Sequence, residues 1–135
     1  ILDRLPRLAL GERLTLARLA DRPVLRALLE DVDPRVVAAL LTNPRLVPED
    51  LVAWVATGRP AAESLRMVGG DARWTERREV RGALLRCAST PRGVALALLS
   101  RCSRGELADL LEDPAADRLL VACAANLLDS EAPPD

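Results

Sequence analysis

Residues Asp33–Ala56 read DPRVVAALLTNPRLVPEDLVAWVA, and the punctuation of this stretch predicts two short helices joined by a tight corner. Asp33 supplies a carboxylate that caps a helix, and Pro34 fits the first helical position, where a missing N–H costs nothing. Val36, Val37, Leu40 and Leu41 then give that helix one apolar stripe. Asn43-Pro44 stops it, because the residue before a proline is pushed out of the α region. Pro48 opens the next helix, with Glu49 and Asp50 in the first turn, where the macrodipole favours negative charge. Leu51, Trp54 and Val55 mark its buried face, and Gly58 closes it as a C-terminal cap.

Working outward, Val80–Ser100 (VRGALLRCASTPRGVALALLS) repeats the programme with one residue fewer in the corner. Val80, Ala83, Leu84 and Leu85 precede Thr90-Pro91, and Val94, Leu98 and Leu99 follow it. From Gly11 the chain can be written as three copies of a three-helix unit, at about 11–47, 48–90 and 91–128. First helices align from Gly11, Pro48 and Pro91. Second helices are VLRALLED from Val24, AAESLRMV from Ala61 and ELADLLED from Glu106, with Leu28-Leu29 matching Leu110-Leu111. Third helices follow Asp33-Pro34, Trp74-Thr75 and Asp113-Pro114, the last carrying Leu119, Leu120, Cys123, Leu127 and Leu128. Spacings of 37 and 43 residues between copy starts (11 to 48, 48 to 91) sit in or near the range of helical solenoid repeats. Pro23, Pro34, Pro48, Pro60, Pro91 and Pro114 all fall at expected helix starts. The expectation is an all-α right-handed solenoid of nine helices forming a single domain over 1–128, with 1–10 as an N-terminal cap and 129–135 as a disordered acidic tail.

Composition agrees with close helix packing. Half of the 135 residues are apolar, Phe and Tyr are absent, and Trp54 and Trp74 are the only aromatics. Net charge is −1, with 19 arginines and neither Lys nor His. That balance argues against a general nucleic-acid or acidic-membrane surface, and the lack of His removes the commonest general base and metal ligand. No enzyme and no metal are expected. Cys87, Cys102 and Cys123 are odd in number and widely spaced, which predicts free thiols in a reducing, cytoplasmic setting. No stretch approaches the roughly 20 apolar residues that span a bilayer. Because the chain opens on Ile1 and not Met, it reads as a piece of a longer protein.

The Asp-Pro, Val-Arg, Asn-Pro and Thr-Pro-x-x-x-Leu features of the two quoted segments resemble the bacterial leucine-rich variant repeats, relatives of the HEAT and armadillo solenoids. The likeness covers most of residues 11–128 and implies a binding surface far more than an activity. One leucine-rich variant type carries an iron–sulfur cluster on clustered cysteines. The cysteines here are not clustered, so no cofactor is expected.

In the armadillo arrangement the third helix of each unit lines a concave groove, which implies that Arg35, Arg78, Arg81 and Arg118 decorate it. Arginines so placed take carboxylates or phosphates bidentately. If Thr75 begins the middle third helix, Arg78, Arg81 and Arg86 lie toward solvent. Taken singly, each arginine reads as part of a solvated face that Glu76 and Glu79 partly neutralise. The expected partner is a protein offering an acidic or extended segment, with Arg78 and Arg81 as the central pair and Trp74 as an apolar anchor, although by itself Trp74 reads first as a ring packed at the mouth of a helix corner. An alternative rests on a resemblance to HEAT-like alkylpurine DNA glycosylases, which implies Trp74, nearby arginines and Asp71 as a catalytic carboxylate. The other aromatics and the strongly basic surface of that family are missing, so nucleic-acid binding is the second reading. Cys102, in a turn beside Arg101 and Arg104, is expected to be the most reactive thiol.

Overall fold

The computed structural model describes residues 7–130, within which ten helices and no strand occur. The expectations for Ile1–Pro6 and for Glu131–Asp135 lie outside the described residues.

The first three helices are α1 (Leu10–Leu19), α2 (Arg22–Leu28) and α3 (Pro34–Leu40). α3 is capped as its sequence predicts, the Asp33 carboxylate accepting from the Arg35 N–H at 2.9 Å, and α2 is capped by Asp21, whose carboxylate accepts from the Val24 N–H at 3.4 Å. α3 buries Val36, Val37 and Leu40, as its stripe requires. At the Asn43-Pro44 corner the Asn43 side chain is buried, and its amide donates to the Ala17 and Ala20 carbonyls at 2.9 and 3.0 Å. One side chain therefore ends α3 and satisfies carbonyls left open at the end of α1.

Next comes α4 (Pro48–Ala56), whose Leu51, Trp54 and Val55 are buried. Gly58 follows with φ +73°, the left-handed conformation that glycine adopts freely. Asp50, read from sequence as a first-turn acid, does more. Its side chain is fully buried and accepts from Arg22 at 2.9 and 3.0 Å, from Arg26 Nε at 3.1 Å and from the Val47 N–H at 3.1 Å. This carboxylate fastens α2 to α4.

α5 (Ala62–Gly69) follows, and the next expected helix is divided. A four-residue helix, α6 (Ala72–Thr75), is capped by Asp71, whose carboxylate accepts from the Arg73 N–H at 3.0 Å, and α7 (Arg78–Arg86) starts afresh after it. Thr75 thus ends one helix and does not begin the long one, which is why ten helices appear where nine are expected. The last three described helices are α8 (Arg92–Leu99), α9 (Arg104–Glu112) and α10 (Arg118–Ser130). Pro114 lies in the turn before α10, whose start is fixed by Asp117 accepting from the Leu119 N–H at 2.8 Å. Asp129 and Ser130, expected in a disordered tail, are the last turn of α10.

Three long-range pairings dominate the packing of the described helices: α1 on α3, α4 on α7, and α8 on α10. In addition α3 meets α5, and α8 meets both α5 and α7. The larger core runs from Ala17 through α8's Leu98, whereas Ala95, Leu99, Leu107, Leu110, Leu120 and Ala124 form a second core. α8 contributes Leu98 to one core and Ala95 and Leu99 to the other, and Leu85 packs against both, so they are joined through α7 and α8. The Leu29/Leu111 match does not extend to burial: Leu29 is 3% exposed and Leu111 38%. Leu119, at 41%, also leaves the core.

Candidate binding cleft

α7 carries two kinds of arginine. Val80, Ala83 and Leu84 turn its apolar face into the core, and Arg81 goes with them. The Arg81 guanidinium donates to Glu106 of α9 through Nε at 3.0 Å and Nη2 at 2.5 Å, and to the Thr75 carbonyl through Nη1 at 2.7 Å. Its side chain is 11% exposed. The expectation that Arg81 faces solvent in a groove is therefore corrected: the α6–α7 break presents the Thr75 carbonyl to it, and α9 supplies the counter-charge. Pairing holds the Glu106 carboxyl down at about 2, against an ordinary 4.5, and raises Arg81.

Arg78 and Arg86 lie on the other face of α7, in the row 78, 82, 86, and both are exposed. Neither forms an ion pair among the described residues. Between them the Arg86 guanidinium folds back over Gly82, where a Cβ would sit 3.2 Å from its Nη1. Across from this row α9 presents Asp109 and Asp113, and α7 and α9 enclose a cleft of about 330 Å³ with Leu85 and Leu110 in its lining. A second cleft of about 470 Å³ shares Leu85 and Arg86 with the first and runs on toward Leu120. There the Arg92–Asp117 ion pair, at 2.9 Å, joins α8 to the turn before α10.

Of the five residues expected to bind a partner, only Arg78 lines this cleft. Arg35 is exposed and folds onto its own cap residue, donating to Asp33 at 3.1 and 2.9 Å, which lowers the Asp33 carboxyl. Arg118 is exposed at the start of α10. Trp74 is 6% exposed, so it is packed among the core residues and offers no surface anchor. The Arg73 guanidinium covers its ring at 4.8 Å and also donates to the Leu41 carbonyl. Asp71, the nominated catalytic carboxylate, is engaged in capping α6 and pairing with Arg73.

Arg86 was visible in the sequence as a solvent-facing residue but carried no role. Asp109 was passed over, although Glu106, Asp109 and Asp113 recur at i, i+3, i+7, the signature of one helix face. The reactive-thiol expectation for Cys102 is overturned. Burial first, and then the nearby Glu106 carboxylate, push this thiol up from 9.0 to about 11, outweighing the Arg81 guanidinium. Among the described residues there is no group of three or more potential ligands able to hold a metal ion, and no helix is long and apolar enough to cross a membrane. No protein-family model, no curated protein and no solved structure matches this chain.

Proposed function

We propose that this chain is a non-enzymatic protein-interaction module, a right-handed solenoid of three leucine-rich-variant-like units that grips an extended, acid-bearing segment of a partner protein. The reading draws on the recurrent first-on-third helix packing and on the resemblance of the Asp-Pro and Asn-Pro corners to such repeats, which stack into continuous binding surfaces. Three free, half-buried cysteines support a reducing, cytoplasmic setting. The observation that carries the proposal is the α7–α9 cleft, where Arg78 and Arg86 stand exposed and unpaired among the described residues beside the apolar Leu85 and Leu110. Arginine without an internal partner, next to apolar surface, is the composition of an interface anchor. The groove pair is thus Arg78 with Arg86, and Arg81 belongs to the framework.

A peptide-display selection against the wild-type chain tests this. Selected peptides are expected to lose about tenfold or more in affinity for Arg78→Glu/Arg86→Glu, the loss of two charged contacts plus repulsion, with melting curves of the two proteins matched. Peptides that bind both proteins equally would place recognition elsewhere and sink the proposal.

A further inference from the structure

The cleft walls differ in net charge. α7 contributes Arg78 and Arg86 with one acid, Glu79, whereas α9 contributes Asp109 and Asp113, and among the described residues no ion pair joins Arg78 or Arg86 to either aspartate. The ion pair that does join these two helices, Arg81–Glu106, braces them and leaves the outer charges unmatched. A uniformly acidic segment would satisfy one wall while setting carboxylates against the other, which costs as much as the first contact gains.

Helix rise and strand rise set the register. Arg78 and Arg86 are eight residues apart on α7, a span of about 12 Å at ~1.5 Å per residue, matched by about four steps of an extended chain at ~3.3 Å. Asp109 and Asp113 are four residues apart on α9, about 6 Å, matched by about two extended steps. Side chains of an extended segment alternate between its two sides. Positions 1, 3 and 5 therefore face α7, and positions 2 and 4 face α9.

We infer that the cleft selects an extended partner segment of alternating charge, acidic at positions 1 and 5 against Arg78 and Arg86, basic at 2 and 4 against Asp109 and Asp113, and apolar at 3 against Leu85 and Leu110. These two leucines line the cleft between the charged rows and give the central residue apolar surface. This inference rests on the proposed peptide-binding role of the cleft and names the chemistry that role recognises.

Three dye-labelled peptides flanked by Gly-Ser distinguish the cases by fluorescence polarisation at low salt: Asp-Lys-Leu-Lys-Asp, its inversion Lys-Asp-Leu-Asp-Lys, and acid-only Asp-Ser-Leu-Ser-Asp. The first is expected to bind wild type about tenfold more tightly than either other, with the margin shrinking as salt is raised. Arg78→Asp/Arg86→Asp/Asp109→Arg, all at exposed positions, is expected to reverse the order of the first two peptides. If the acid-only peptide binds wild type as well as the first and still depends on Arg78 and Arg86, the cleft binds peptides but alternating charge is wrong. If none of the three binds and display peptides ignore the Arg78→Glu/Arg86→Glu change, both the inference and the role it rests on fall.

Discussion

Arg81 and Glu106 form a two-pronged ion pair between α7 and α9, with Nε 3.0 Å from Oε2 and Nη2 2.5 Å from Oε1, and side chains only 11% and 14% exposed. It ties α7 to α9 directly behind the proposed cleft. A forked guanidinium–carboxylate contact fixes orientation as well as distance, so it sets the spacing of the two walls.

Glu106→Gln is expected to cost about 1.5–3 kcal/mol, because it leaves a largely buried guanidinium without its counter-charge. The cost depends on pH in a definite sense. Glu106 is held at about 2 when folded against an ordinary 4.5, so its contribution is complete above about pH 4.5 and is lost as pH falls toward 2. Chemical denaturation of both proteins from pH 7 to pH 2 is expected to show a constant gap that closes below about pH 4.5. A gap that is the same at pH 7 and pH 2 would mean that the pair's charge contributes nothing.

Cys102 is expected to alkylate slowly. A thiol moved from 9.0 to about 11 holds roughly a hundredfold less thiolate near pH 8, and only the thiolate attacks iodoacetamide. Mass-spectrometric labelling at pH 8 should find Cys102 reacting tens of times more slowly in the native chain than in the urea-unfolded chain. Rapid native labelling would show that burial and the Glu106 carboxylate do not hold this thiol protonated.

How much was legible from sequence depended on whether the physics was local. Asp33-Pro34, Asn43-Pro44, Pro48 and Gly58 act through their own backbone neighbourhoods, and each ends or starts a helix where the sequence indicates. The break between α6 and α7 was hidden because Asp71 caps a helix of a single turn, too short for an apolar stripe to reveal. Arg81 was misjudged for the opposite reason. On α7 alone it sits in an arginine-rich run with solvent, and its burial comes from a glutamate 25 residues away. The Arg78 and Arg86 row and the Asp109 and Asp113 row were each readable as a helix face. That they oppose one another depends on how α7 and α9 pack.

Gly69 is a packing glycine. A Cβ at this position would collide with Val94 Cγ1, where α5 crosses α8. Val94 is β-branched and cannot swing aside cheaply. Gly69→Ala is therefore expected to destabilise by about 1–3 kcal/mol despite alanine's better helix propensity, which alone would favour it by about 1 kcal/mol. Gly69→Ala/Val94→Ala should recover part of that loss in a thermal melt, less the cost of the deleted methyl groups. A single variant as stable as wild type would mean that α5 and α8 separate without penalty.

Asn43 carries the sharpest test of the stretch that defines the unit. Its amide donates to both Ala17 and Ala20 carbonyls, and its Oδ1 accepts from the Arg45 N–H at 2.8 Å, all at a residue 2% exposed. Asn43→Ala leaves two carbonyls and one N–H without this partner, for an expected loss of about 2–3 kcal/mol. Asn43→Asp keeps the shape and the Arg45 contact but turns an oxygen toward the two carbonyls. At neutral pH it is therefore expected to be the worse variant, since a buried carboxylate then faces acceptors only. Its folded pKa must lie above the unfolded ~3.9, because the neutral acid can donate one bond and the anion none. The extra penalty is thus full above the raised folded pKa and is relieved as pH falls toward about 4. Melting curves of both variants from pH 7 to pH 4 should show Asn43→Asp converging on, or passing, Asn43→Ala, whereas parallel curves would show that the side chain does not hold the end of α1.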